Sequence, residues 1–390
     1  MLSRQLLGTA MSKELDDFDK KLVMDKENDE RKKNVQAKAL ILQEHRVERD
    51  LNILQQNKEE LEKGKNVDFS HLSKEYVEGL ISSSNEYIEA AKKSMSFMND
   101  SFRKIVPFFR KNLILIGADT GDGKSTAVAN IIYSTVTNIN PATGKPGRVL
   151  VLSNEEAPED FYNRITAVHL GLKYTNHNEI TGEEKDQYAK FIPLWCKNDT
   201  LSIIGDTYQG ISGWTTTLEG IERIFTSLLE SGNPPDVVIL DYYQNVKVSR
   251  NNTDLDQYKV QAMFAAFLDK MKLVYPGPIV VMAQMKRLVN EEDTTPFNVR
   301  LKGSKEICDK ATFIAEISPE RAYLRSKWKV WKSRFNDSVG ETIYVGYERG
   351  KFVKYDEKFQ LRVAKIVQEN LEKKYKSDIG LPKKDEKSEE

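Results

Sequence analysis

Cysteine is nearly absent from these 390 residues: Cys196 and Cys308 are the whole supply, and they lie far apart. That excludes a disulfide framework and a cysteine metal cluster, and it favours a reducing compartment. No apolar run reaches the length needed to cross a bilayer, so no membrane role is expected. An excess of either charge is also missing, because 59 basic residues balance 59 acidic ones. No global field draws in nucleic acid or membrane, and any polyanion site must be local. The opening Met1-Leu-Ser-Arg-Gln-Leu-Leu7 lacks a long apolar core, and acidic residues begin at Glu14. It reads as an ordinary cytosolic start, or as an extension before Met11, which points to the cytoplasm of a bacterium or of a virus-infected host cell. Proline and glycine are missing from Glu14 to Lys63, as in a long solvated helix.

What is present begins with a 39% apolar content, enough for a sizeable core over two or three domains. In the charged stretch from residue 14 to about 65, Val47, Leu51, Leu54 and Leu61 keep a heptad-like stripe, broken between Asp25 and Asn34. A second, amphipathic helix is expected from Ser70 to about Met95, where Leu72, Tyr76, Leu80, Tyr87 and Ala90 recur at near-helical spacing. From about residue 100 the pattern changes to short β-rich runs alternating with helical stretches. Leu113–Gly117, Val149–Ser153, Leu201–Ile204, Val237–Asp241 and Ile279–Ala283 are the expected strands, and such alternation implies a parallel sheet covered on both faces. Phe313–Ile317, Lys327–Trp331 and Thr342–Tyr347 read as later strands with an antiparallel ending. A helix from Phe359 to about Tyr375 and a charged, disordered tail complete the chain.

The decisive segment is Ala118-Asp119-Thr120-Gly121-Asp122-Gly123-Lys124-Ser125, which joins the run Asn112–Gly117 to the helical Lys124–Tyr133. Strand, glycine-bearing loop and helix make a phosphate cradle. Gly121 and Gly123 let backbone N–H groups converge on an anion, Lys124 neutralises the β and γ phosphates, and the Ser125 hydroxyl is placed for Mg²⁺. Thr126 follows at the helix start. Asp119 and Asp122 are unexpected there, since carboxylates repel a polyphosphate unless turned to water or metal.

A second apolar strand ends in Asp241, followed by Tyr242-Tyr243-Gln244. In a phosphate-loop protein this sets Asp241 beside Ser125, where it holds Mg²⁺ through water. Tyr242 follows where an acid would be needed, so the carboxylate that polarises attacking water must come from elsewhere. Val149–Ser153 runs into Asn154-Glu155-Glu156 just before Pro158 opens a helix. The two glutamates divide the catalytic role or merely favour the helix N-terminus. Ile279–Ala283 ends in Gln284, a candidate sensor of the γ-phosphate, with Gln244 lining the same site. Trp331-Lys332-Ser333-Arg334 puts two cations on an extended segment, either as surface charges or within reach of a neighbour's triphosphate.

Taken together these residues resemble the RecA-like ATPase domain of DnaB-type replicative helicases. That family has a phosphate loop beginning with Ala, a strand ending in Ser-Leu-Glu, another in Asp-Tyr-x-Gln, one in Gln, and a late Lys-x-Arg. Here these are Ala118–Ser125, Ser153-Asn-Glu155, Asp241-Tyr-Tyr-Gln244, Gln284 and Lys332-Ser-Arg334, in the same order. The resemblance implies an α/β fold: a RecA-like P-loop NTPase core over residues 100–356 with a central, mainly parallel sheet, preceded by an N-terminal helical region. A charged segment over 1–69, a linker helix over 70–99 and a C-terminal helix with tail over 357–390 would flank it. It implies ATP with Mg²⁺, Glu155 as catalytic carboxylate, Lys124 and Ser125 on phosphate and metal, and Asp241 organising the metal. Lys332 and Arg334 would act on the adjoining protomer of a ring, by resemblance a hexamer.

Leu301-Lys-Gly-Ser-Lys-Glu-Ile307 is similar to the family's DNA-contacting loop. Lys302 and Lys305, with Lys286 and Arg287, would then touch phosphates of single-stranded DNA in a salt-sensitive, sequence-blind way. Lys247, Arg250, Asn251 and Asn252 are a weaker second set, and solvated loop charge is the competing reading of both. The family's larger primase-binding N-terminal domain is not recognisable in residues 1–98, so residues 1–65 would meet some other replication partner, in a compact viral or plasmid-type motor. The expectation is an ATP-driven, ring-forming 5′ to 3′ DNA helicase or single-strand translocase. The rivals are a RecA-type recombinase, disfavoured by Asp241-Tyr-Tyr-Gln244, and a non-enzymatic ATP-binding assembly factor.

Overall fold

A computed structural model describes residues 74–99, 101–172, 181–196, 200–208, 211–247, 256–287 and 295–378. The expected helix over 14–65, the loop residues Arg250, Asn251 and Asn252, and the final tail lie outside them. The chain forms two compact units, Met1–Ile81 and Ser82–Glu390. The described part of the first is the opening of helix α1 (Lys74–Lys92), a shorter helix than the spacing from Ser70 to Met95 predicts.

In the second unit, Tyr87 of α1 meets Phe109 edge-on at 5.3 Å and Glu86 pairs with Arg110 at 3.6 Å. The following irregular segment buries Phe97, Phe102 and Phe108 in an edge-to-face cluster that includes Trp328. The chain then enters strand β1 (Leu113–Ala118), helix α2 (Lys124–Thr137), β2 (Val149–Ser153), α3 (Pro158–Leu170), α4 (Gly182–Cys196), β3 (Leu201–Ile204), α5 (Leu218–Glu230), β4 (Val237–Asp241), α6 (Gln257–Val274) and β5 (Ile279–Gln284). A helical turn at Phe297–Arg300 and the short α7 (Glu306–Lys310) lead to β6 (Phe313–Glu320), β7 (Arg325–Ser333), β8 (Thr342–Glu348), β9 (Lys351–Lys354) and α8 (Glu357–Asp378).

The nine strands form one sheet in the order β9-β8-β7-β6-β1-β5-β4-β2-β3. From β6 to β3 all neighbours are parallel, whereas β7, β8 and β9 join antiparallel. The mainly parallel sheet and its antiparallel ending are as the sequence predicts. β9 is an additional short strand, paired to β8 after Gly350.

Strands β1, β2 and β4 are buried along their whole length, which is why they read as unbroken apolar runs. The pleat sends alternate residues to opposite cores. Ile114, Val151 and Ile239 face α2 and α3, while Leu115, Leu150 and Leu240 face α5 and α6. Register then decides where function sits: Ala118 pairs with Gln284, and Ser153 with Asp241. The carboxyl ends of β1, β5, β2 and β4 therefore share one edge of the sheet, where α/β proteins bind ligands.

Candidate functional site

The phosphate loop leaves β1 and closes on Gly121 and Gly123, with φ of 82° and 96° that a side-chain-bearing residue adopts only under strain. A Cβ added at Gly121 would meet nothing within 4 Å, so the loop encloses open space. Helix α2 starts behind Gly123 with no side-chain cap and no acidic residue in its first turn. Its first N–H groups and dipole are thus available to an anion.

The two loop aspartates are accommodated in different ways. Asp119 Oδ1 turns back to accept the Thr120 N–H at 2.6 Å. Burial, then Asp119, raise the Asp122 carboxyl above its ordinary value, while Arg321, Arg287 and Lys124 pull it down. Arg321, from the turn between β6 and β7, also donates to the Gly121 carbonyl at 3.1 Å. Nothing in the sequence marked Arg321 for this role, because it lies two hundred residues away.

At the other end of the edge, Asn154 clamps the exit of β2 to that of β4. Its N–H donates to the Asp241 carbonyl at 2.8 Å, its amide donates to the Tyr242 carbonyl at 2.9 Å, and its Oδ1 accepts the Tyr242 N–H at 2.9 Å. The Asp241–Tyr242 peptide between these contacts is cis. Asp241 is 2% exposed, and its Oδ1 has no hydrogen-bond partner among the described residues. Burial, then Glu156 and Glu155, push its carboxyl up to about 7, against the opposing charges of Lys124 and Arg164.

A buried, unpartnered carboxylate oxygen beside a phosphate loop fits a divalent cation. So does the small protein contribution: no cluster of three or more His, Cys, Asp or Glu able to hold a metal occurs among the described residues. Mg²⁺ in such sites takes few protein ligands and fills its octahedron with water and phosphate oxygens.

Of the two glutamates, the structure brings Glu156 to the loop. Ser125 Oγ donates to Glu156 Oε1 at 2.6 Å, and Arg164 Nη2 donates to both carboxylate oxygens at 3.2 and 3.1 Å. Glu155, the residue the family resemblance singles out, is exposed at the mouth of the site.

Gln284 donates through its amide to Thr120 of the phosphate loop. Its backbone is held by Gln244, which accepts the Gln284 N–H at 3.0 Å and donates to the carbonyls of Gln284 at 3.0 Å and Lys302 at 2.7 Å. Gln261 of α6 donates to the Gln244 carbonyl at 3.1 Å and accepts the Ser304 N–H at 2.7 Å. Gly303, at φ 89°, passes so close to Gln261 that a Cβ would collide with its amide oxygen. Gln261 is a buried residue that sequence reasoning missed; an isolated Gln within a helix carries no signal.

Lys302 and Lys286 are brought together, since Lys302 N donates to the Gln284 carbonyl at 3.1 Å and Lys286 N to the Arg300 carbonyl at 2.7 Å. Arg287 and Lys305 are exposed nearby in the chain. Lys247 belongs elsewhere, bridged to Thr217 at the start of α5.

Lys332 and Arg334 are folded onto their own subunit. Lys332 Nζ donates to the carbonyls of Cys308 at 2.7 Å and Asp309 at 3.0 Å, and Arg334 donates to that of Asp309 at 3.1 Å. They cap the C-terminus of α7, the helix that Lys305 precedes. Burial, then Arg334, lower the Lys332 ammonium below its ordinary value.

Comparison with known proteins agrees with this geometry. The profile of the DnaB-like helicase C terminal domain matches residues 100–366. The chain is 26% identical over 198 residues to the replicative DNA helicase DnaB of Mycoplasma genitalium, and 23% over 215 residues to that of Mycoplasma pneumoniae. These matches span 50% and 53% of this chain but only 40% and 43% of the relatives. Among solved structures, an ATPase domain determined as a separate chain is similar with a TM-score of 0.56 at 16% identity, covering 72% of this chain and 99% of that one. A DnaB-like replicative helicase studied for its interactions with primase is similar with a TM-score of 0.54 at 16% identity, covering 71% of this chain and 66% of that one. At such identity the structural likeness speaks for the fold.

Proposed function

The chain belongs to the DnaB-like helicase family, and from that premise we propose that it is an ATP-driven, ring-forming DNA helicase or single-strand translocase. The observation that carries the reading is the amide network. Gln284 touches the phosphate loop at one end, and through Gln244 the same strand end is tied to the backbone of Lys302 in the basic loop. A nucleotide in the loop and a strand on the lysines would act on one hydrogen-bonded unit.

The residues take their roles from position. Loop N–H groups, the start of α2 and Lys124 hold the β and γ phosphates. Ser125 and Asp241 would hold Mg²⁺, which when bound offsets charge on the phosphate oxygens. Glu155, exposed at the mouth, orients the attacking water, and Gln284 senses the γ-phosphate from the opposite side. Lys332 and Arg334 reach the next subunit's nucleotide, so the active unit is a ring, by family analogy a hexamer. Lys286, Arg287, Lys302 and Lys305 engage phosphates of single-stranded DNA. Residues 1–69 are left for a replication partner, in a protein working in the cytoplasm.

Steady-state ATP hydrolysis with and without single-stranded DNA tests this, using wild type, E155Q, R334A and a mixture of the two variants. The expected result is DNA-stimulated turnover that either change lowers at least about hundredfold, with partial recovery in the mixture. Tight ATP binding with no turnover in the wild type would sink the motor and favour an assembly factor.

A further inference from the structure

A serine hydroxyl has one proton and two lone pairs. If it is to ligate a cation, the proton must be given to an acceptor on the far side. In phosphate-loop proteins with a carboxylate at the end of a neighbouring strand, that carboxylate is the obvious acceptor. Here Asp241 does not serve: its buried Oδ1 has no partner, and the Ser125 proton goes to Glu156 at 2.6 Å.

Glu156 is built to receive it. Its backbone carbonyl accepts the Ser153 hydroxyl at 2.6 Å, which anchors the residue at the exit of β2. Its carboxylate is held across both oxygens by Arg164, one helix turn and more into α3, and the two side chains are only 23% and 19% exposed. The guanidinium cancels the glutamate's charge, which makes Glu156 a good hydrogen-bond acceptor and a poor metal ligand. Two acids thus divide work that one could do.

We propose that Glu156, fixed by Arg164, is a positioning residue that orients the Ser125 hydroxyl, lone pairs outward, for the divalent cation of the bound nucleotide, leaving Asp241 free for that cation's water. This rests on the phosphate-loop reading above, and the test separates the two. Mn²⁺ is the probe, its free concentration read by electron paramagnetic resonance while the full chain is titrated in the presence of ADP. E156M keeps the side-chain length and removes the acceptor, and E156Q keeps an acceptor oxygen without the charge. ADP binding in EDTA reports that each variant retains the loop.

The expected result is a rise of about tenfold in half-saturating Mn²⁺ for E156M, the loss of one charge-assisted hydrogen bond. E156Q should stay within about threefold of wild type, because an amide oxygen still accepts the proton. In an S125A background, E156M should add no further loss, since the residue acts only through that hydroxyl. Wild-type Mn²⁺ dependence in E156M would overturn the proposal. So would equal loss in E156Q and E156M, which marks direct ligation or a charge effect, and so would an undiminished effect in the S125A background. A wild type that binds no Mn²⁺–ADP at all would overturn the nucleotide site itself.

Discussion

Removing the charge of Asp241 should make the nucleotide-free protein more stable, by an amount that depends on pH. Its carboxyl is buried, faces Glu156 and Glu155, and is raised from 3.8 to about 7. The folded state therefore binds more protons than the unfolded state throughout that interval. Stability is greatest below it, falls as pH rises through it, and is lowest above about 7. At about 1.4 kcal/mol per pH unit the full cost is roughly 4 kcal/mol. D241N carries no such cost. In paired urea unfoldings of wild type and D241N with EDTA, followed by tryptophan fluorescence, other titrating groups cancel. The advantage of D241N should grow by about 2–3 kcal/mol between about pH 5 and about pH 8.5, and saturating Mg²⁺–ADP should shrink it by stabilising the wild-type carboxylate. A difference that stays flat across this range, or that grows towards acid, would refute the reasoning.

Two other outcomes follow from the same coordinates. Q244M removes the acceptor of the Gln284 N–H and the donor to two carbonyls; it should lower DNA-stimulated ATP turnover towards the DNA-free rate and cost about 2–3 kcal/mol of stability, read by comparing turnover with and without DNA alongside unfolding. R300M strands Glu316, whose carboxylate is otherwise buried against Arg300 and accepts the Trp331 indole at 2.8 Å. Thermal unfolding should register a loss of about 3–5 kcal/mol, part of which R300M/E316M regains because it buries no unpaired charge.

The phosphate loop, the strand ending in Asp241 and the strand ending in Gln284 were legible because their information is local. Each is an apolar run buried on both faces and stopped by a residue of distinct chemistry, so burial, direction and strand end coincide in a few consecutive letters. Glu155 and Glu156 were not separable in this way. Which one turns to Ser125 depends on how Asn154 is tied to Tyr242, eighty-eight positions away. Gln261 and Arg321 were missed for a related reason: each has its partner on a distant element, and neither lies in a motif. Lys332 and Arg334 were found as a pair, but their contact with the carbonyl end of α7 could not be read from an extended run of alternating residues.

Residue order alone was enough to settle the class of fold, the direction of the sheet and the existence of a nucleotide cradle, since these depend on hydrophobic period, glycine conformation and a short motif. Folding was needed to bring Gln284, Gln244, Gln261 and Lys302 into one hydrogen-bonded unit, to leave Asp241 buried without a partner, and to hand the Ser125 proton to Glu156. Those facts depend on which strand lies beside which and in what register, and that is a property of the packed sheet.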